Sequence, residues 1–328
     1  MIREIRISGL RGIESGGIAD LTELSVLVGP NGCGKSTILD ALLLALAQEP
    51  GEAIIEVVNR RQGLPGAASW LVYRQEDPAQ IAVGTREGGG RICDISISSR
   101  DTSVVSWESQ VEPGNVVHCE VEFTPKPIIQ TQTKRNVQPL AGVKHVHLVE
   151  VAPGPTQKLL ERAYTEAVNR GARKSVFDLL AAVVPGLESV EILTDKAGQP
   201  VTHLVFDWGG VPVGLAGDGM LALARLCFEL AAQPSGLALV EEPEAHQHPR
   251  SMFQGAKAIA AAVRRGIQVI VSTHSIEFID ALIDALEESE LDKLSVHRIS
   301  LQEHHLVSTV SAGEDLIYFR RQVEEDLR

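Results

Sequence analysis

Residues 29–37 read Gly29-Pro30-Asn31-Gly32-Cys33-Gly34-Lys35-Ser36-Thr37. They fit the pattern G-x-x-x-x-G-K-[ST], whose chemistry is phosphate binding. Gly29, Gly32 and Gly34 let the backbone fold tightly and turn its N–H groups inward as an anion nest, with Asn31 and Cys33 filling intervening positions. A helix starting near Lys35 adds its positive dipole end. Lys35 supplies a full charge to the β- and γ-phosphates, the Ser36 hydroxyl is a hard oxygen ligand for Mg²⁺, and Thr37 can donate to the α-phosphate. An apolar strand before the loop, Leu24 to Val28, and a buried helix after it, Lys35 to Ala47, separate this segment from a chance Gly-rich turn.

A second group of reactive residues lies far along the chain. Leu237-Ala238-Leu239-Val240-Glu241-Glu242 reads as a buried strand ending in two carboxylates. In a parallel sheet, ligands gather at the carboxyl ends of strands. Glu241 can therefore face a metal through water, and Glu242 can orient or deprotonate an attacking water. His274, in Ser272-Thr273-His274-Ser275, stands at the end of a further strand and can hydrogen-bond a γ-phosphate. Gly217-Asp218-Gly219 opens a nearly all-apolar helix and offers a second anion-binding helix end. One protomer's phosphates already have the Gly29 loop, so this second end is most useful to the phosphates of a partner subunit.

The elements that must position these residues follow from periodicity. Arg3 to Gly9 alternates as a half-buried strand, Leu10 to Ala19 reads as a Gly-bearing turn, and β-type runs recur at Trp70 to Tyr73, Gln80 to Gly84, Arg91 to Ser98 and Val116 to Phe123. Gly88 to Gly90 and Glu112 to Gly114 are expected turns, and Pro125 to Gly142 an expected loop. Gln157 to Val184 is helical in pattern, Val190 to Leu193 and His203 to Trp208 read as strands, and helix then alternates with strand to Leu286, before a last strand pair. This order predicts an α/β P-loop NTPase fold with a mainly parallel core sheet, an antiparallel β subdomain and a helical subdomain. The expected organisation is one composite domain: a phosphate-loop half (1–50), a β subdomain with an insertion (51–150), a helical segment (151–186), the second half of the core (187–312) and a C-terminal helix (313–328).

Composition narrows the function classes. The chain has 328 residues, 44% hydrophobic and 22% charged, within the range of an ordinary globular protein. The longest apolar stretches, Ile38 to Ala47 and Met220 to Leu230, carry Asp40, Arg225 and Glu229 and fall short of a membrane span. The N-terminus carries charge from Arg3 onward and lacks a signal-peptide core, so a cytoplasmic location without membrane attachment is expected. A formal charge of -13 argues against bulk electrostatic attraction to nucleic acid. Arg60-Arg61 and Lys134-Arg135 are the basic pairs that remain candidates, while Arg320-Arg321 and His304-His305 read as solvated surface and His246-Gln247-His248 as loop-shaping rather than zinc-binding. Cys33, Cys93, Cys119 and Cys227 lack paired metal spacing and read as reduced thiols.

The order of phosphate loop, Gly-rich helix start, strand with paired acids and strand with His resembles the ABC-type ATPase heads, in particular the branch containing RecF, SMC and OLD-like phage-defence ATPases. Ile5 to Gly12 looks like that branch's opening strand and turn, and Glu241-Glu242-Pro243-Glu244-Ala245-His246-Gln247-His248-Pro249 is similar to the acidic strand end of the OLD-like members. The resemblance implies an ATPase using ATP and Mg²⁺. Each nucleotide would lie between one subunit's Lys35 loop and the other's Gly217-Asp218-Gly219 segment, in a homodimer or higher even oligomer, with Arg11 near the nucleotide and a metal-contacting glutamine, Gln62 or Gln75. Two departures stand out: Glu241 replaces the Asp many members carry, and the Gly217 segment lacks the transporter Leu-Ser-Gly-Gly-Gln form. Sustained heptads for a long arm are missing between Ser36 and Gly217. The residues after His274 are too few for a nuclease domain, so the effector would be a separate chain. The resemblance implies an ATPase switch of a defence or DNA-maintenance system. A RecF-like repair ATPase that binds DNA directly is the alternative, and a transporter ATPase subunit a more distant one.

Overall fold

A computed structural model describes residues 1–60, 67–75, 78–99, 104–112, 115–123, 128–131, 139–140, 143–150 and 157–321. The chain forms two compact units. The first comprises Met1–Thr22, Leu27–Val146 and Val296–Ser311, and the second Glu23–Val26, His147–Ser295 and Ala312–Arg328. In chain order the elements are β1 (Ile2–Leu10), β2 (Ile13–Ile18), β3 (Leu24–Val28), α1 (Lys35–Leu46), α2 (Pro50–Asn59), β4 (Ala79–Thr85), β5 (Gly90–Ser99), β6 (Val104–Glu112), β7 (Asn115–Glu122), β8 (Ile128–Thr131) and β9 (Val146–Glu150). There follow α3 (Gln157–Asn169), α4 (Arg173–Ala181), β10 (Ser189–Thr194), β11 (Pro200–Phe206), β12 (Gly209–Pro212), α5 (Asp218–Ala232), β13 (Gly236–Glu241), α6 (Pro249–Arg264), β14 (Ile267–Thr273), α7 (Ile276–Ala285), β15 (Leu294–Gln302), β16 (His305–Ala312) and α8 (Gly313–Arg321).

In the first unit the strands run in the order β8-β7-β6-β5-β4-β1-β2-β16-β15. Every pair from β8 to β2 is antiparallel, whereas β16 joins β2 in parallel through His305↔Ser15 and Leu306↔Gly16. Alternation sets the register: Ile81, Val83, Cys93, Ile95, Val105, Trp107, Val117, Cys119 and Val121 all face inward and are buried. This buried face holds the far end of α1. Trp107 Nε1 donates to Leu44 O at 3.1 Å and Arg91 Nη1 to Ala45 O at 3.0 Å, so side chains of β5 and β6 satisfy carbonyls that a helix end leaves open. Burial lowers the pKa of the Arg91 guanidinium, a direction only partly opposed by Cys93.

The second unit contains the parallel pair β13–β14, with register running from Gly236↔Ile267 to Glu241↔Ser272. All seven residues of β14 are buried, as expected of a strand covered on both faces. A separate antiparallel sheet, β10-β11-β12, precedes α5. Helix α5 buries Ala222 to Ala231 without interruption, including Arg225 and Glu229, and packs beside α3 and α6. The helical pattern read over 157–184 is met by α3 and α4, separated by a turn at Gly171.

Several local expectations need correction. The Leu10 to Ala19 segment is not a turn: Ile13–Ile18 forms β2, pairing Ile5↔Ile18 through Leu10↔Ile13. Its central glycines read as turn residues in sequence, but buried Ile13 and Ile18 at its ends anchor it as a strand. Trp70 to Tyr73 is not a strand either: Ala67–Leu71 and Tyr73–Gln75 are 3₁₀ turns broken at Arg74, whose φ is 51°. Here aromatic and β-branched content suggested a strand, but only Val72 bridges to Leu10. Arg320 is not an exposed charge: it makes a two-point ion pair with Asp280 at 2.7 and 2.9 Å, leaving its side chain 9% exposed. Helix α2 and strand β6 had no counterpart in the periodicity reading, and β8 lies inside the expected 125–142 loop. The expected Glu112 to Gly114 turn falls partly outside the described residues.

His297 on β15 gives the first unit a pH dependence. Its side chain is 1% exposed, and burial brings the imidazole pKa down to about 4, with Asp20 opposing. The unfolded chain therefore binds a proton that the folded chain refuses between roughly pH 6.5 and pH 4, so stability falls as pH drops through that window. From pH 7 to pH 5 this group should remove about 2 kcal/mol. Urea titrations of wild type and His297→Leu at both pH values check this: the variant should lose less stability than wild type, and equal losses would contradict the assignment.

Candidate phosphate and acid–histidine half-sites

The first half-site is the loop between β3 and α1. β3 is entirely buried, which fixes where the loop begins. Gly29 has a φ of 150°, and a Cβ there would meet Ile299 O at 2.2 Å, so a side chain is excluded. Gly34, at φ 100°, caps α1, and Ile38 N donates to its carbonyl at 2.9 Å. Lys35 is 4% exposed. Its ammonium donates to Gly29 O at 2.8 Å and Pro30 O at 3.0 Å, and lies 3.7 Å from Cys33 Sγ. Cys33 is buried, Asn31 and Gly32 are exposed, and Ser36 and Thr37 are half-buried at the first turn of α1. The arrangement is a cation folded into a ring of its own loop carbonyls, beside a helix N-terminus.

Arg11 and Arg60 converge on Asp40, a fully buried carboxylate of α1. Arg11 reaches Asp40 at 2.5 Å and donates from Nη2 to Val57 O at 3.0 Å, while its backbone N–H donates to Leu71 O at 2.8 Å. The expected nucleotide contact at Arg11 is thus, in this structure, an ion pair that ties the β1–β2 turn to α1 and α2. Arg60 is a correction: it was expected as a surface contact for nucleic acid, but its side chain is only 3% exposed. Two guanidiniums on one buried carboxylate compensate a charge that would otherwise be costly to desolvate. Its partner Arg61, the Lys134-Arg135 pair and Gln62 lie outside the described residues, and Gln75 ends a 3₁₀ turn.

The second half-site belongs to the second unit. β13 delivers Glu241 half-exposed at its last position. Glu242 follows with a φ of 44°, a conformation uncommon for a residue with a long side chain. Its N–H donates to Ser272 O at 2.9 Å, extending the β13–β14 pairing one residue beyond the strand. Its Oε1 lies 3.1 Å from His274 Nε2, so the structure brings together the acid and the histidine that the sequence separates. Both side chains remain partly open, 45% and 32% exposed.

Sequence reasoning missed Glu244. Its Oε1 accepts from Thr273 Oγ1 at 2.7 Å and from His274 N at 2.8 Å. Thr273 Oγ1 accepts in turn from Ser275 N at 3.0 Å, and Ser275 Oγ caps α7 by accepting from Phe278 N at 3.1 Å. The signal was available: Glu244 belongs to the same acidic cluster as Glu241 and Glu242.

Gly217, at φ 96°, is the N-cap of α5, and Gly217 and Asp218 are exposed. Gly219 sits against the acidic loop, where a Cβ would meet His246 O at 2.5 Å. His246 itself has a φ of 60°, and His248 caps α6 through Nδ1, which accepts from Arg250 N at 3.2 Å. The His246 to His248 segment is therefore a turn and helix cap, and its geometry is met by backbone contacts.

Magnesium chemistry requires hard oxygens. Ser36 in one unit and Glu241 in the other offer a hydroxyl and a carboxylate, both half-buried rather than sealed. Ser272, opposite Glu241 in register, has a buried Oγ that makes no hydrogen bond within the described residues. Such an atom suits a bound water, the usual companion of Mg²⁺, so within the second unit Glu241 and Ser272 offer oxygens of the right chemistry for a hydrated ion.

Two family models match the chain. One, described as "AAA ATPase domain", covers residues 1–74, and the other, described as "AAA domain, putative AbiEii toxin, Type IV TA system", covers residues 172–280. The Smc head solved in complex with the C-winged helix domain of ScpA superposes with a TM-score of 0.55 at 15% identity, over 96% of this chain and 99% of that one. The chain has the fold of an SMC-type ATPase head. A second such structure, the Smc head with an extended coiled coil bound to the C-terminal domain of ScpA, derived from Pyrococcus furiosus, matches this chain with a TM-score of 0.50 at 12% identity, over 99% of both chains. Among the described residues of the head the longest helix has 16 residues, so they include no coiled-coil arm. A Helicobacter pylori (strain ATCC 700392 / 26695) protein described as "ATP/GTP phosphatase" is 20% identical over 372 aligned positions, covering 97% of the head and 98% of that protein. None of the chain's described helices is long and apolar enough to cross a membrane.

Proposed function

We propose that the chain binds and hydrolyses Mg-ATP, closes around ATP as a homodimer or higher even oligomer, and thereby controls a separate effector, a nuclease or toxin, in prokaryotic anti-phage defence or DNA maintenance. The observation that carries this reading is the 3.1 Å contact of Glu242 with His274, in a chain whose G-x-x-x-x-G-K-[ST] segment turns the Lys35 ammonium onto Gly29 O. In this account the loop N–H groups of Gly29, Asn31, Gly32, Cys33 and Gly34 cradle the phosphates, with Lys35 placing its charge on the β- and γ-phosphates and Thr37 donating to the α-phosphate. Ser36 and Glu241 would be the oxygen donors for Mg²⁺, which would neutralise phosphate charge. Glu242 orients a water and accepts its proton as the water oxygen attacks the γ-phosphorus and the bond to the β-phosphate oxygen breaks. His274 donates to the γ-phosphate. The exposed Gly217-Asp218-Gly219 end of α5 completes the site of a second copy. The AbiEii description of the model matched at residues 172–280 supports the defence setting.

Mixing two crippled chains tests the sharing of a site. Lys35→Ala removes the cradle and Gly217→Glu places a carboxylate where the partner's phosphates would lie. Random re-pairing puts half the chains in mixed dimers with one intact site each, so turnover should recover to about a quarter of wild type. A mixture no more active than its separate parents would contradict the shared site.

A further inference from the structure

Loop 242–248 is gripped from two sides within the second unit. On one side Glu244 Oε1 takes two hydrogen bonds from the 273–274 segment, one from a side chain and one from the backbone of His274 itself. On the other side His246 O approaches Gly219 so closely that the start of α5 tolerates no side chain there. Between these anchors the loop is wound tightly, with Ala245 N donating to Glu242 O at 2.9 Å and Gln247 N to Glu244 O at 3.0 Å. Of the two residues whose side chains meet, His274 donates its backbone N–H directly to the Glu244 carboxylate, and Glu242 stands two residues before Glu244 in the same loop.

We propose that Glu244 is a positioning residue for hydrolysis: it holds the His274 backbone against the acidic loop, so that His274 Nε2 meets Glu242 Oε1 at working distance. This rests on the role proposed above for Glu242 and His274. The Glu242 backbone is held in a left-handed conformation, so its side-chain direction is set by the loop and not by a regular element. His274 likewise stands between the end of β14 and the cap of α7. Two loop residues can keep a 3.1 Å contact only if something joins the loops. The Glu242 N–H to Ser272 O bond joins them at the strand ends, and the Glu244 carboxylate joins them beyond the histidine. Glu244 Oε2, in contrast, is buried and makes no hydrogen bond within the described residues. One of the two oxygens takes both hydrogen bonds, and a neutral amide with its oxygen in that place would keep both of them, more weakly.

The experiment compares ATP turnover by Glu244→Leu, Glu244→Gln and Thr273→Val with that of wild type, alongside ATP affinity from a fluorescent analogue and melting temperature. Glu244→Leu should lower kcat by about 10- to 100-fold, because misplacing a reacting group by an ångström costs that much, while KM and ATP affinity change by less than about threefold, the phosphates being held elsewhere. Glu244→Gln keeps the accepting oxygen and should recover most of the loss. Thr273→Val deletes one of the two donors, so it should fall between them, and it serves as the second test if Glu244→Leu fails to fold. In a His274→Ala background Glu244→Leu should add little further loss. Equal kcat losses for the Leu and Gln variants would overturn the proposal, as would a full additional loss in the His274→Ala background or unchanged kcat in Glu244→Leu and Thr273→Val. If Glu242→Gln and His274→Ala themselves leave kcat unchanged, the function proposed above fails first, and that result is distinct from a Glu244 failure.

Discussion

Lys35→Ala should cut ATP binding to about a tenth or less at concentrations that saturate the wild type. The side chain is buried at the mouth of its own loop, with its ammonium on Gly29 O and Pro30 O. A cation already placed among inward-facing backbone groups needs little reorganisation to meet phosphate oxygens, and charge-assisted hydrogen bonds in such a setting are the strong ones. Removing it should cost about 3 kcal/mol or more, a factor on the order of 100 in affinity. Arginine should not restore binding, because its planar fork cannot replace a compact ammonium in a ring of carbonyls. Equilibrium titration with a fluorescent ATP analogue, with the melting temperature as a folding control, measures the effect. Affinity within a few-fold of wild type would refute the loop assignment.

Glu242→Gln should separate binding from chemistry. Gln keeps the size of Glu and an oxygen able to face His274 Nε2, so the 3.1 Å contact and the left-handed turn can persist. It cannot accept the water's proton at neutral pH. A general base contributes roughly 10²- to 10⁴-fold, so kcat should fall by about that factor while ATP affinity is retained. With hydrolysis stalled, the ATP-closed pair should accumulate. Because the Lys35 loop and Glu242 lie in different units of the chain, the two substitutions report on separate parts of the machinery.

The loop between β3 and α1 was legible because its signals are local. Glycine spacing, the following lysine and hydroxyls, and the apolar segments on either side all fall within a few turns of chain. Leu237 to Glu242 and Ile276 to Leu286 were legible for the same reason: an unbroken apolar run ended by charge marks the strand, and an amphipathic run opened by the capping Ser275 marks the helix. What remained hidden depended on tertiary contacts. Gly16 and Gly17 suggested a turn, yet the buried isoleucines flanking them make β2 a strand. Arg60 and Arg320 looked like solvent-facing charges because their partners, Asp40 and Asp280, lie 20 and 40 residues away in sequence. Glu244 was hidden for a related reason. Beside two stronger candidates it reads as one more solvated acid, and only the fold reveals that it holds the backbone of a histidine 30 residues onward. The antiparallel part of the first unit was legible as a class, but its count was not: β6 alternates but puts polar Ser109 on its buried face, and β8 is only four residues long.

The central claim is that Lys35 and its loop hold ATP while Glu242 breaks it down. The most direct measurement follows the fate of the nucleotide on the Glu242→Gln protein incubated with Mg-ATP. The retained nucleotide is identified and the mass of the particle that carries it is measured in the same run. The account predicts that ATP, not ADP, is retained, on a species of twice the chain mass or a higher even multiple. Recovery of ADP and free phosphate at the wild-type rate would remove Glu242 from the chemistry and contradict the account.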